Sequence, residues 1–217
     1  MNFLFERGYN IRGTRVRLSA TPHRIFDTPG ILHFYGCLQS LMKFHPMFDQ
    51  ALVEIITNDP LAIIVILRNK SMYSWQRMFE QRLLSCFTTA NLDDSYIHRI
   101  VLLDQMSHED YMTVLCSMSV NLDPFPFGGG VTLTDSVFCG VPFVTIPSLQ
   151  SVHKLGAGIA NRLNLSDYAA HTLKEYVSKS IRFAEHHRRN SNISDQDSHH
   201  VDVVDEWRTF LKRVVML

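Results

Sequence analysis

Residues 122–135, Leu122-Asp-Pro-Phe-Pro-Phe-Gly-Gly-Gly-Val-Thr-Leu-Thr-Asp135, carry groups suited to anion chemistry. An apolar strand at 120–122 ends in a rigid Pro/Phe turn, and Gly128, Gly129 and Gly130 follow. Glycines let the backbone come close to a ligand and accept positive φ. A helix-like run then opens at Val131, with Thr132, Thr134 and Asp135 in its first turns. The start of a helix offers unpaired N–H groups and a partial positive charge, a setting for a phosphate or diphosphate. Asp135, a turn further in, could accept hydrogen bonds from ribose hydroxyls. The competing reading is a plain strand–turn–helix corner, in which glycines need no ligand.

Other polar groups follow the remaining predicted strands. Gln39 and Lys43 come after the first, Arg68 after the second, Met106 after the third and His153 after the fifth. Lys43, just before His45-Pro46, suits a phosphate or a solvated loop. Arg68 carries the same two readings. His153 suits a phosphate or sugar oxygen, or a helix cap. The pairs His186-His187 and His199-His200 are sequence neighbours, which point apart on a helix and suit exposure rather than metal binding. A nucleophile elbow of the Gly-x-Ser-x-Gly kind is absent, as is the Walker pattern ending Gly-Lys-Ser/Thr. No Gly-x-Gly-x-x-Gly follows the first strand, which argues against a nicotinamide enzyme.

Hydrophobic alternation supplies the elements that must position these groups. Strands are predicted at 31–35, 61–67, 99–103, 120–122 and 142–146. Helices are predicted at 47–57, 74–87, from Ser107 as N-cap, at 131–139 and at 152–162. The 61–67 run is apolar throughout, as for a strand buried on both faces. Strands alternating with helices predict an α/β fold with a doubly wound parallel sheet, whose ligands sit at the carboxyl ends of the strands. Thr172 and Glu175 form a capping box before a helix to about 187. Residues 1–30 read as an irregular basic linker or remnant, 31–189 as the binding domain and 190–200 as a mobile loop. A final amphipathic helix spans 201–217, with Val201, Val204, Trp207, Leu211 and Val214 in one stripe.

The 217-residue chain is 46% hydrophobic and 19% charged, enough for a sizeable core. Its 21 Lys and Arg balance 21 Asp and Glu, so it lacks the basic field that nucleic-acid binding needs. Cys37, Cys86, Cys116 and Cys139 are scattered, which supports neither a metal site nor a disulfide framework and suggests a reducing compartment. With no 18-residue apolar stretch and no signal peptide, the expectation is a soluble cytoplasmic or nucleocytoplasmic protein that does not enter a membrane.

Taken in order, Gln39-Ser-Leu-Met-Lys43-Phe-His-Pro46, Leu122-Asp-Pro-Phe-Pro-Phe-Gly128, Thr132-Leu-Thr-Asp135 and Gly140-Val-Pro-Phe-Val-Thr145 resemble the C-terminal catalytic lobe of the O-linked N-acetylglucosamine transferase and SPINDLY-like family. The Pro-Phe-Pro-Phe-Gly run and Arg162-Leu-Asn-Leu165 are similar to the related bacterial cytoplasmic N-glycosyltransferases. The resemblance covers roughly 31–187. It implies the Rossmann-like, donor-binding half of a two-lobed GT-B glycosyltransferase. It places Lys43 and the Gly128-Gly129-Gly130-Val131-Thr132 segment on the donor diphosphate and Asp135 on the ribose, with Gln39, Met106 and His153 as further candidate donor contacts. It also implies transfer of N-acetylglucosamine or a hexose from a UDP-sugar to protein Ser, Thr or Asn, without metal or cofactor. GDP-sugars serve the SPINDLY branch. Two positions depart from the family: Gly130 stands where the animal enzymes have histidine, and Tyr111 where the family has histidine on the third helix. No catalytic residue is assigned, because the resemblance puts the acceptor site in a first lobe that residues 1–30 cannot form. The alternative is a catalytically inactive nucleotide-sugar-binding or interaction module.

Overall fold

The computed structural model describes residues 32–187, together with the backbone of 6–11 and 14–19. The expected loop at 190–200 and helix at 201–217 lie outside the described residues.

Strands β1 (Glu6–Ile11) and β2 (Thr14–Ser19) pair antiparallel, Glu6 opposite Ser19. This corrects the irregular reading of that stretch. The signal was there in Arg15-Val16-Arg17-Leu18, a period-two alternation.

Five parallel strands form the main sheet: β3 (His33–Cys37), β4 (Ala62–Arg68), β5 (Ile100–Asp104), β6 (Val120–Leu122) and β7 (Phe143–Val144). Their spatial order is β5-β4-β3-β6-β7. The chain enters at β3, winds outward to β5, then returns to lay β6 on the other side of β3. The winding direction reverses between β3 and β6, and at such a switch point the loops leaving the two strands part to open a crevice. Gln39–Lys43 and the glycine segment are the loops in question.

Helices α1 (Pro46–Asn58), α2 (Tyr73–Thr89), α3 (His108–Leu115), α4 (Val131–Phe138), α5 (Leu155–Arg162) and α6 (Leu173–His187) connect and cover the strands. β4 shows why the sheet needs cover on both sides. Ala62, Ile64 and Ile66 pack into a core with residues of α1, α2 and α6, while Ile63 and Val65 pack with residues of α3. Alternate side chains of one strand thus serve two cores.

Local signals set the helix starts. Pro46 occupies the first turn of α1, where its missing N–H costs nothing, and His45 accepts from Met47 N. Ser107 caps α3 by accepting from Asp110 N. Before α6, Thr172 Oγ1 accepts from Glu175 N while a Glu175 carboxylate oxygen accepts from His171 N. Among the described residues no helix is long and apolar enough to cross a membrane.

The cysteines depart from expectation. Cys116 and Cys139, each the residue that ends its helix, form a disulfide joining the carboxyl ends of α3 and α4. Cys37 and Cys86 are free.

Candidate functional site

Asp123, the first residue after β6, is the centre of the crevice. It is fully buried, and each carboxylate oxygen is engaged. Oδ1 accepts from Gly129 N at 2.6 Å and from Gln39 Nε2 at 3.0 Å, and Oδ2 accepts from Thr145 Oγ1 at 2.7 Å. Its backbone oxygen accepts from Tyr176 Oη at 3.0 Å, which anchors the strand end to α6. Burial pushes the Asp123 carboxyl up to about 6; Thr145, Gly129, Gln39 and the Lys43 charge pull the other way.

Gln39 is itself buried and uses both ends of its amide. While Nε2 donates to Asp123, Oε1 accepts from Lys43 Nζ at 2.8 Å. The same ammonium donates to Gly128 O at 3.2 Å and lies 5.0 Å from the centre of the Phe127 ring. Asp123, Gln39, Lys43, Gly128 and Gly129 therefore close a ring of hydrogen bonds across the β3–β6 crevice. An ammonium has three donors. Two are used inside this ring, which leaves the third for a ligand.

Packing explains the glycines. A Cβ on Gly128 would stand 2.4 Å from Asp123 Oδ2, and one on Gly129 would stand 2.3 Å from Thr132 Oγ1 and 2.7 Å from Gln39 Nε2. Any side chain there would push the loop off the carboxylate. Gly130 is the residue before α4 and supplies no side-chain cap. Leu133 N and Thr134 N donate back to Gly130 O, which leaves the first two N–H groups of α4, on Val131 and Thr132, without an intrahelical acceptor at the partly positive end of the helix. Thr132 Oγ1 is buried without a hydrogen-bond partner. Such a hydroxyl fits a ligand oxygen, since an unmet buried polar group is costly. Val131 is exposed.

The other predicted residues fall in three places. His153 reaches the ring of bonds through Phe127, with ring centroids 5.6 Å apart, and its Nδ1 lies 2.6 Å from Ser148 Oγ. Asp135 sits half-exposed on α4, and its charge helps raise the pKa of the Tyr111 phenol, after burial as the main cause. The Tyr111 hydroxyl is buried without a partner, and its ring stacks on His108. Met106 packs with Tyr111 against the α3 core, so Met106, Tyr111 and Asp135 form a second group on that side of the sheet. Arg68 does not join either group: its Nε is ion-paired with Asp104 Oδ1 at 2.7 Å. A cleft of about 200 Å³ continues the carboxyl edge beside Gln39, with Ser40, Arg68, Trp75 and Gln105 on its walls.

Neighbouring contacts fix the Lys43 segment. Phe44 bridges to Pro126 of the Pro/Phe turn, and Phe44 O accepts from Arg82 Nη2 at 2.8 Å. Arg82 also grips the buried Asp49 of α1 at 2.7 and 3.1 Å. Burial raises the Asp49 pKa and Arg82 opposes the rise.

Sequence reasoning missed Asp123, Thr145 and Tyr176. An Asp-Pro pair after a strand reads as turn punctuation. Its other signal, an acidic residue directly after an apolar strand at a switch point, becomes visible only when the strand order is known.

No family model matches the chain. A rice protein named as a probable UDP-N-acetylglucosamine–peptide N-acetylglucosaminyltransferase SPINDLY is 27% identical over 163 residues, 74% of this chain and 17% of the rice protein. The corresponding Arabidopsis thaliana protein is 25% identical over 150 residues. A UDP-glucose:protein N-β-glucosyltransferase of Actinobacillus pleuropneumoniae is 29% identical over 87 residues, 40% of this chain and 14% of that protein. Among solved structures, a Thermobaculum terrenum O-GlcNAc transferase mutant superposes with a TM-score of 0.61 at 20% identity, covering 90% of this chain and 40% of that one. The α/β fold is thus shared with a GT-B glycosyltransferase, and the relatives by sequence are glycosyltransferases. The chain spans about a sixth of the length of the curated relatives it matches.

Proposed function

We propose that this homologue of the SPINDLY-like and bacterial N-glucosyl transferases is the donor-binding lobe of a protein glycosyltransferase. It binds a UDP-sugar and serves transfer of N-acetylglucosamine or a hexose to a protein side chain, Ser, Thr or Asn. The observation that carries the reading is the convergence, at the sheet's switch point, of the Lys43 ammonium, the uncapped start of α4 and the unpartnered Thr132 hydroxyl. Three groups that favour negative charge meet where a leaving diphosphate would develop it.

In this reading Lys43 and the α4 N-terminus hold the diphosphate, and Asp135 accepts from the ribose. Met106 and Tyr111 border the base. Lysine and helix dipole neutralise the departing nucleotide, so binding needs no metal. The aromatic ring of Phe127, edge-on to His153 and beneath Lys43, shields this charge cluster from water on one side. A cytoplasmic location goes with this reading, and there Cys116 and Cys139 would be kept as thiols.

Calorimetric titration with UDP, GDP and their sugars, in the presence of a chelator, tests the proposal. The expected outcome is binding of uridine nucleotides that Lys43→Ala weakens by about 1.5–3 kcal/mol, the range for a charge-assisted hydrogen bond. Equal affinity of wild type and Lys43→Ala would remove Lys43 from the site. Binding of guanosine nucleotides alone would reassign the donor.

A further inference from the structure

One group in the ring, Asp123, is hydrogen-bonded to neither Lys43 nor Thr132 and yet binds both Gln39 and the glycine loop. We propose that Asp123, acting through Gln39, is the positioning residue of the anion site: it sets both where the Lys43 ammonium points and where the glycine loop lies. The role assigned to the anion site rests on the donor-binding reading above; the positioning itself does not.

Connectivity is the ground for this. Asp123 Oδ1 binds Gly129 N and Gln39 Nε2 at once, so a single oxygen fixes the loop after β6 relative to the loop after β3. The Gln39 amide cannot turn over, because that would set its NH2 against the Lys43 ammonium and its oxygen against a carboxylate. Asp123 therefore determines the orientation of Gln39, and Gln39 presents an acceptor to Lys43. With Gly128 O as second acceptor, two of the three ammonium donors are assigned and the direction of the third follows. Burial makes the arrangement stiff. Asp123 and Gln39 are almost fully excluded from water, and Gly128 and Gly129 leave no room for movement toward them. Without a fixed acceptor, a lysine keeps rotamer entropy that a ligand would have to overcome.

Replacement chemistry separates positioning from plain stability. Asparagine at 123 would keep the geometry: its carbonyl oxygen can accept from both Gly129 N and Gln39 Nε2, and its NH2 can donate to Thr145 Oγ1 after the hydroxyl rotates. Alanine at 123 removes all three acceptor contacts, whereas Gln39→Ala cuts the link to Lys43 and leaves Asp123 on Gly129 and Thr145.

The test has two readouts on the full chain. The first needs no ligand: the rate at which acetic anhydride acylates the Lys43 amine, followed by peptide mass spectrometry. The second is calorimetry with UDP-glucose, whose diphosphate does not titrate near neutral pH. Expected are faster Lys43 acylation in Gln39→Ala and Asp123→Ala but not in Asp123→Asn, and affinity for UDP-glucose reduced at least about tenfold in the first two. In a Lys43→Ala background, Gln39→Ala should change affinity by less than about twofold, since its route is then gone. Should Asp123→Ala fail to fold, Gln39→Ala and Asp123→Asn carry the test. Lys43 acylation at the wild-type rate in Gln39→Ala would overturn the inference, as would additive losses in the double variant. Altered Lys43 reactivity without any UDP-glucose binding in the wild type would uphold the positioning role and sink the donor reading.

Discussion

A buried carboxylate survives at position 123 because four groups compensate it, and the compensation is incomplete: its pKa is pushed up to about 6, above the ordinary 3.8. A folded-state value above the unfolded one means that the folded protein binds the proton more tightly. The stabilisation from protonated Asp123 is therefore full below about pH 4 and is lost as pH rises through about 6. The shift is worth about 3 kcal/mol at most. Asp123→Asn, which has no proton to lose, should gain on the wild type by an amount of this order between pH 4 and pH 7 in urea unfolding. Curves that stay parallel across that range would mean the Asp123 carboxyl is not buried as described. Cys37 and Tyr176 also face Asp123, and burial raises both pKa values, so neither ionises between pH 4 and 7.

Helices α3 and α4 carry the groups assigned to the nucleoside, Tyr111 and Asp135, and the Cys116–Cys139 bond joins their far ends. A cross-link over 23 positions removes unfolded-state freedom worth about 3 kcal/mol. Reduction, or Cys116→Ser, should lower unfolding free energy by up to that amount; a reduced protein as stable as the oxidised one would show that the bond constrains nothing. Much of the element pattern was legible in the sequence. The apolar run of β4, Pro46, Ser107 and the Thr172–Glu175 capping box are local signals, and the elements they announced lie within a residue or two of their expected bounds. Of the candidate site, Lys43 and Gly128–Thr132 stood out in the sequence because their chemistry is local. The candidate site was not legible at Asp123, whose partners Gln39 and Thr145 lie 84 and 22 positions away. The cysteine pair failed for the same reason, since only the packing of α3 on α4 brings the two sulfurs together.

The described residues form a two-stranded and a five-stranded sheet, the carboxyl ends of β3 and β6 border the candidate site, and the chain covers 40% of the T. terrenum enzyme that shares its fold. Transfer requires an acceptor nucleophile held in line with the sugar's anomeric carbon, and positioning of that kind supplies roughly 7–11 kcal/mol of a barrier. In the donor-lobe reading proposed above, that holding falls to the opposite lobe of a two-lobed enzyme. Purified 1–217 should therefore bind donor yet give little transfer of radiolabelled sugar to a peptide library; multiple turnovers by this chain alone would show that it contains an acceptor site. The most direct test of the central claim, that the β3–β6 crevice is the donor site, is an amide NMR titration with UDP-glucose. The account predicts saturable shifts concentrated on the N–H groups of Gly130, Val131 and Thr132, and their loss in Lys43→Ala. Saturable shifts located elsewhere on the sheet, with those three amides unmoved, would contradict it.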